Sequence, residues 1–264
     1  MRENFLQLRE SFFTNAGKLF TIQGKLFAFS IPFIGNVRLL TGGGMPIDNP
    51  DFDENLYFEA LDLQSMTNGE SKPCNLIPPT PTSIRGAVGV AAQAKLDLET
   101  PMICGGIQLQ DVSNECWVLY DKSLNVSDLH GQNTSWIEGP PMLEPRGHAA
   151  SVKVLEAGMT SEWNWWVSGG FDHEQNPLKT SEIRWSNGTW GSGPVLPRAV
   201  YGHCVVQISR QKSVLIGGWP IAENYIFDWE TKVWTSFPSN SKSRYYHGCA
   251  LLRNNIEGTV FENH

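Results

Sequence analysis

A pair of glycines returns four times along this chain of 264 residues, each time directly after a short hydrophobic run. The pairs are Gly42-Gly43, Gly105-Gly106, Gly169-Gly170 and Gly217-Gly218. The first glycines of the last three pairs lie 64 and 48 residues apart, so one repeating unit is long enough to hold several strands. A repeat of this length indicates an array of similar units rather than one continuous core.

Two further landmarks follow each of the last three glycine pairs. The first is a tryptophan, and the second is a proline-rich turn that leads to an arginine with a glycine or histidine close behind it. The tryptophans are Trp136, Trp190 and Trp234. The arginines are Arg146, Arg198 and Arg244, with a fainter upstream copy at Arg85, and the histidines are His148, His203 and His247. Glycine permits a close approach of two backbones, and tryptophan can pack on a neighbouring unit while its N–H finds a partner.

Each unit is predicted to consist of four short β-strands. The corner that carries the arginine opens strand one, strand two ends at the glycine pair, strand three is aromatic and aliphatic, and strand four carries the tryptophan. These segments are rich in β-branched and aromatic residues and are bounded by Gly, Pro, Asn and Asp. The aromatic run from Trp163 to Trp166 is expected to be blade core rather than a ligand platform. Strand alternation predicts that Trp163 and Trp165 point to one face of the sheet and Trp166 to the other.

This order of landmarks resembles the kelch repeat, and the resemblance covers residues from about 37 to 252. It implies an all-β, kelch-type β-propeller with four-stranded blades. We predict about four blades plus an extra strand, which is an incomplete ring, because kelch propellers usually have more blades. Three alternatives stay open: the chain is a fragment, it closes as a small ring, or it self-associates through its open blade faces. The single strand expected after residue 244 favours the fragment.

The repeat landmarks predict the following division of the chain. Residues 1–36 are an N-terminal segment that could hold the first strands of blade one. Residues 37–253 form the kelch-repeat propeller, with blade boundaries near residues 85, 146, 198 and 244. Residues 254–264 are expected to be a tail.

Composition limits the classes of partner. The formal net charge is −7, which argues against nucleic acid and anionic membrane surfaces, since both require basic patches. No apolar run reaches the roughly 18 residues of a membrane-spanning helix. We therefore expect a protein or glycan partner. The localisation is not fixed by the sequence, and an extracellular one is slightly favoured over a cytoplasmic one.

The cysteines and the glycosylation triplets bear on the compartment. Cys104 ends strand two and Cys116 begins strand three of one unit, so the pair is either a disulfide or two small buried thiols. The resemblance to secreted invertebrate kelch proteins favours the disulfide and a secreted glycoprotein. Candidate glycosylation sites are Asn125, Asn133 and Asn187, about as many triplets as the composition gives by chance.

The repeated histidines and arginines are the candidates for chemistry. His148, His203 and His247 could converge on a metal, but a shared repeat position is also what a structural role predicts, so no metal or cofactor is expected. The arginines Arg85, Arg146, Arg198 and Arg244 are candidate partner-binding residues, because a ring of guanidinium groups can clamp an acidic peptide. The alternative is that they tie the corners together, which the repeat also favours.

The expected function is a non-enzymatic interaction scaffold that binds a protein or glycan. No catalytic constellation stands out, so the chain is not expected to be an enzyme. Two alternatives stay open: an enzyme of the kelch-oxidase or sugar-processing type, and a structural module of a larger extracellular protein.

Overall fold

The computed structural model describes residues 27–33, 36–42, 58–62, 75–93, 99–108, 111–121, 134–155, 163–249 and 251. Within these residues all regular secondary structure is β, so the expected all-β class is confirmed for the described part of the chain. That part accordingly contains no helix with the length and hydrophobicity needed to cross a membrane.

Four antiparallel four-stranded sheets follow one another along the chain. Sheet one contains β1 (Phe27–Phe33), β2 (Asn36–Gly42), β3 (Phe58–Asp62) and β4 (Asn75–Ile77). A small three-stranded sheet contains β5 (Ile84–Arg85), β8 (Ile107–Gln108) and β9 (Asp111–Val112). Sheet two contains β6 (Val88–Gln93), β7 (Glu99–Cys104), β10 (Cys116–Asp121) and β11 (Thr134–Gly139).

The last two sheets have the same consecutive order. Sheet three contains β12 (Ala150–Val154), β13 (Asn164–Ser168), β14 (Ser181–Arg184) and β15 (Trp190–Ser192). Sheet four contains β16 (Cys204–Gln207), β17 (Lys212–Ile216), β18 (Asn224–Asp228) and β19 (Val233–Phe237). Residues 244–249, where an additional strand is predicted, belong to none of the four sheets.

The first strands of the four sheets lie side by side. β1 lies against β6, β6 against β12, and β12 against β16, so the sheets stack in chain order. Among the described strands, none of sheet four lies against sheet one in this way. The arrangement is consistent with a β-propeller-like fold, in which sheets stack around an axis and bury their faces on one another.

Two hydrophobic clusters fill the spaces between sheets two, three and four. Trp165 and Val167 pack with Met102 between sheets two and three. Trp166 packs with Phe227 and other residues between sheets three and four. Trp165 and Trp166 therefore point to opposite faces of β13, as strand alternation predicts, and both are core residues. The core prediction is wrong for Trp163, which precedes β13 and is 46% exposed.

Candidate functional site

The glycine pairs are the places where neighbouring units meet through their backbones. In each of the last three pairs, the second glycine donates its N–H to a carbonyl oxygen in the corner of the next unit, and these bonds are 2.8–2.9 Å long. They are Gly106 to Arg146, Gly170 to Val200, and Gly218 to Arg244. We define the corners as residues 84–87, 146–149, 200–203 and 244–247.

Steric contact explains why these positions require glycine. A Cβ on Gly169, whose φ is +56°, would lie 2.3 Å from the carbonyl oxygen of Val200. On Gly105 and Gly217 the distances to the equivalent corner carbonyls are 2.7 and 2.8 Å. A side chain would push two backbones apart and would also disfavour the positive φ. Of the first pair, Gly42 ends β2, and Gly43 lies outside the described residues.

One residue in each corner has a left-handed backbone, and these residues form a hydrogen-bonded arc. They are Gly86, His148, Gly202 and Tyr246, with φ between +52° and +62°. His148 donates its N–H to Gly86 (2.8 Å), Gly202 to His148 (2.9 Å), and Tyr246 to Gly202 (2.7 Å). Since these four residues share a left-handed backbone and bond to one another in chain order, we take them as equivalent positions of adjacent units and align the corners on them.

The arc corrects the predicted alignment of the histidines. His148 is equivalent to Gly202 and Tyr246, whereas His203 and His247 lie one position further along the chain. The three histidines therefore do not occupy one repeat position. The alignment could not be read from the sequence, because in each of the last three corners a histidine lies within a few residues of an arginine. In the described part of the chain, no group of three or more His, Cys, Asp or Glu side chains could hold a metal ion.

The histidines fill space between units. His203 is fully buried, its Nε2 lies 2.9 Å from the hydroxyl of Ser168, and it packs against Gly169. Burial lowers the pKa of His203 to about 3, and nearby His247 adds to this effect. The ring of His148 packs on Gly86, and burial, with a smaller contribution from Arg85, lowers its pKa to about 4. Both imidazoles are therefore neutral near neutral pH.

Arg146 is a buried corner residue, which corrects its prediction as a partner-binding residue. It is 1% exposed, and its Nη2 donates to Oε1 of Glu182 at 2.8 Å. Its Nη1 donates to the carbonyl oxygen of Gly169 at 2.8 Å, and its Nη2 also reaches Glu144. The guanidinium is thus occupied by its own unit and cannot reach a partner.

The other three arginines are not buried in the way that Arg146 is. By its bond to Gly218, Arg244 is equivalent to Arg146, but its side chain is exposed. Arg198 is also exposed and lies two residues before Val200, the residue equivalent to Arg146. Arg85 is half-buried. A single ring of equivalent arginines is therefore not formed.

The repeated tryptophans join each sheet to the one before it. Trp136 in β11 donates its indole N–H to Pro78 at 2.8 Å. Trp190 in β15 donates to Pro140 at 2.9 Å, and Trp234 in β19 donates to Val195 at 2.9 Å. The three acceptors follow the last strand of the preceding sheet. The expectation that these tryptophans pack on a neighbouring unit and find an N–H partner is confirmed.

The described part of the chain contains two disulfides. Cys104 and Cys116 are direct cross-strand neighbours in sheet two and are joined by a disulfide, so the first of the two open interpretations is confirmed. Cys204, the first residue of β16, is joined to Cys249, a pairing that the sequence did not predict. The remaining cysteine, Cys74, lies outside the described residues.

The predicted glycosylation sites are only partly described. Asn187 is exposed in the tight turn between β14 and β15, and its side-chain oxygen accepts hydrogen bonds from Thr189. Asn125 and Asn133 lie outside the described residues.

Aromatic residues cluster where the corners meet the loops that follow the glycine pairs; three of them are exposed, Tyr201 is half-buried and Phe171 is buried. We call this cluster the aromatic surface; it consists of Phe171, Tyr201, Trp219, Tyr245 and Tyr246. Trp219 is 50% exposed, Tyr245 52% and Tyr246 37%. The ring centres of Tyr245 and Tyr246 are 5.0 Å apart, and those of Trp219 and Tyr245 are 6.1 Å apart.

Backbone pairing holds part of this surface in place. Tyr201 and Trp219 exchange two backbone hydrogen bonds of 2.9 and 3.0 Å, as Gly147 and Phe171 do one unit earlier. The sequence reasoning missed the aromatic surface. A signal was present, because a large apolar residue directly follows each of the last three glycine pairs, namely Ile107, Phe171 and Trp219.

No protein-family model matches this chain, and the comparison with curated proteins finds no match.

Proposed function

We propose that this chain is a kelch-type β-propeller that acts as a non-enzymatic scaffold and binds a protein or glycan through the aromatic surface. The kelch assignment rests on the repeat landmarks and on the contacts that explain them. The glycine pairs support close backbone contacts, and the tryptophans bond to the preceding sheet. These contacts give a regular scaffold on which loop residues can vary.

The observation that carries the binding function is the exposure of Trp219, Tyr245 and Tyr246 on one anchored surface. Aromatic side chains give a large contact area at a low cost in side-chain entropy, and they are enriched where binding energy is concentrated. Burial, with smaller effects from Tyr201 and Tyr245, raises the pKa of Tyr246 to about 12. Its hydroxyl therefore stays protonated and available as a hydrogen-bond donor to a partner.

The Ser168–His203 pair does not support the enzyme alternative. A serine hydroxyl 2.9 Å from an imidazole resembles the start of a nucleophilic dyad. Both residues are 0% exposed, so a substrate has no path to the hydroxyl. The neutral His203 instead occupies the space beside Gly169, where a larger side chain on the glycine would not fit. The pair supports a structural role between sheets three and four.

A screen of glycan and peptide arrays tests the proposal. The wild-type chain is compared with the double variant W219A/Y245A and with W163A, which removes a 46% exposed tryptophan away from the aromatic surface. We expect the double variant to lose at least about tenfold in affinity for any bound probe, while W163A keeps it. Equal binding by W219A/Y245A and the wild type would refute the site, and the absence of any bound probe would refute the function.

A structural module of a larger extracellular protein is the second candidate, and one apolar row favours it. Val206, Val214 and Ile226 are direct cross-strand neighbours on the face of sheet four that points away from sheet three; Val206 and Ile226 are half-buried, and Val214 is 6% exposed. They are equivalent to Val152, Trp166 and Ile183, which sheet four covers one unit earlier. Light scattering tests this candidate: a stable monomer argues against it, and concentration-dependent association supports it.

The disulfides favour an oxidising compartment, as the secreted and glycoprotein expectations require. Expression through a eukaryotic secretory pathway, followed by mass measurement with and without glycosidase, tests this. We expect a mass shift that the variant N187Q reduces, because Asn187 is exposed in a turn. An unchanged mass of the secreted chain would exclude glycosylation at that site.

A further inference from the structure

The part of the aromatic surface that carries Tyr245 and Tyr246 belongs to residues 244–249, a segment outside the four sheets. Two backbone bonds hold the segment on sheet four. Gly218 donates to the carbonyl oxygen of Arg244 at 2.8 Å, and Tyr246 donates to that of Gly202 at 2.7 Å. The Cys204–Cys249 disulfide adds a covalent link at the end of the same segment.

The contact between sheets three and four, one unit earlier in the chain, shows what this disulfide replaces. Counted from the left-handed residues of the arc, Cys204 is equivalent to Ala150, and Cys249 is equivalent to Val205. Ala150 and Val205 are both buried in the hydrophobic cluster between sheets three and four. There the chain continues into β16, and β16 pairs with β17, so sheet four itself fixes Tyr201. Residues 244–249 are not a strand of any described sheet, so His247, which bonds to the backbone of Ile216, and Tyr246, whose ring centre lies 4.5 Å from that of His148, are not fixed by strand pairing.

We propose that Cys204 and Cys249 are positioning residues for the aromatic surface: their disulfide holds Tyr245 and Tyr246 beside Trp219, and reduction releases them. The step is a two-electron reduction by a dithiol. The S–S bond breaks, each cysteine sulfur becomes a thiol, and the dithiol is oxidised to a disulfide. The consequence for a partner rests on the proposed function, whereas the positioning of the segment does not.

Accessibility makes this disulfide the easier of the two to reduce. Cys249 is half-buried and its partner Cys204 is 1% exposed, whereas both residues of the other disulfide, Cys104 and Cys116, are 1% exposed. Attack by a thiolate requires access to a sulfur, so mild dithiothreitol reduces Cys204–Cys249 first. The aromatic surface thereby becomes sensitive to the redox state of the surroundings, while the link within sheet two persists.

Hydrogen exchange on the full chain, followed by mass spectrometry, tests the positioning without any partner. The variant C204A/C249V installs the apolar residues of the preceding junction and removes only the covalent link. We expect the amides of Gly218 and Tyr246 to exchange at least about tenfold faster in it, while Gly170, which bonds to Val200 at the preceding junction, is unchanged. The control C104S/C116S installs the serine pair found at the equivalent place in sheet three, Ser168 and Ser181, and leaves all three amides unchanged.

Protection of Gly218 and Tyr246 in C204A/C249V equal to that of the wild type would overturn the inference, because an apolar contact would then suffice. If that variant does not fold, the wild type is treated with mild dithiothreitol and its exchange is compared before and after; unchanged protection after reduction overturns the inference equally. Probe binding separates this result from the proposed function. Faster exchange with undiminished binding supports the positioning and refutes the aromatic surface as the binding site.

Discussion

Arg146 and Glu182 form an ion pair inside sheet three that solvent hardly reaches, with Nη2 and Oε1 2.8 Å apart and exposures of 1% and 2%. Glu182 also accepts the backbone N–H groups of Leu143 and Glu144, at 2.6 and 3.0 Å. The pair therefore fixes the corner that precedes β12 on the third strand of the same sheet. It is the reason why Arg146 serves the fold and not a partner.

Loss of the arginine should leave a buried carboxylate without its cation. We expect R146M to lower the free energy of unfolding by about 3–5 kcal/mol, measured by urea denaturation. The control E144Q changes a partner of Arg146 that is 37% exposed and should cost at most about 1 kcal/mol. An equal decrease in the free energy of unfolding in R146M and E144Q would show that the burial of Arg146 and Glu182 does not determine how much their ion pair stabilises the fold.

Alanine at Gly169 should cost more than alanine at Gly188. Both glycines have a positive φ, so each substitution should cost about 1–2 kcal/mol from backbone strain alone. A Cβ at Gly169 also meets the Val200 carbonyl at 2.3 Å, whereas at Gly188 its nearest contact is the guanidinium of Arg184 at 3.4 Å. Thermal or urea unfolding of G169A and G188A measures the difference. Equal stability of the two variants would contradict the close approach of adjacent units.

Acid should destabilise the fold through its buried histidines. Burial lowers the pKa of His203 to about 3, below the ordinary value of 6.5 that the unfolded chain should show. As the pH falls below about 6.5, the unfolded state binds a proton that the folded state does not, so stability falls by up to about 1.4 kcal/mol per pH unit for such a histidine. Urea unfolding at about pH 7 and about pH 5 measures how much the free energy of unfolding falls between them. We expect this decrease to be smaller in H203N than in the wild type. An identical loss would rule out His203 as a source.

The tryptophan N–H bonds between sheets should contribute separately from the aromatic rings. W190F keeps an aromatic ring but removes the bond to Pro140, so we expect a loss of about 0.5–1.5 kcal/mol together with a small packing term. W219F changes a half-exposed indole of the aromatic surface and should stay within about 0.5 kcal/mol of the wild type. Urea unfolding curves measure both losses of free energy. An equal loss in W219F and W190F would contradict a stabilising role of the indole N–H bond to Pro140.

The repeat landmarks predicted much of the fold because each has a local physical reason. The glycine pairs, Trp136, Trp190 and Trp234 recur since every unit must approach its neighbour closely and bond to it. Strand alternation was enough to place Trp165 and Trp166 on opposite faces. The Cys104–Cys116 pair was recognisable because its members flank one loop between adjacent strands.

Most of the candidate site was not predictable, because it depends on contacts between residues far apart in the chain. The aromatic surface combines Trp219 with Tyr245 and Tyr246, which belong to different segments. The disulfide of Cys204 spans 45 residues and joins the first strand of sheet four to the segment after it. No local pattern distinguishes that pairing from an unpaired buried thiol.

The sequence by itself determined the unit: four strands, a glycine pair that only glycine can fill, and a tryptophan that reaches the preceding sheet. Only the tertiary structure decided the alignment of the corners. The left-handed residues Gly86, His148, Gly202 and Tyr246 are equivalent because their backbones bond to one another, although two are glycines, one is a histidine and one is a tyrosine. Tertiary contacts likewise buried Arg146 against Glu182 and left Arg244 exposed, since burial depends on which side chains the next strands supply.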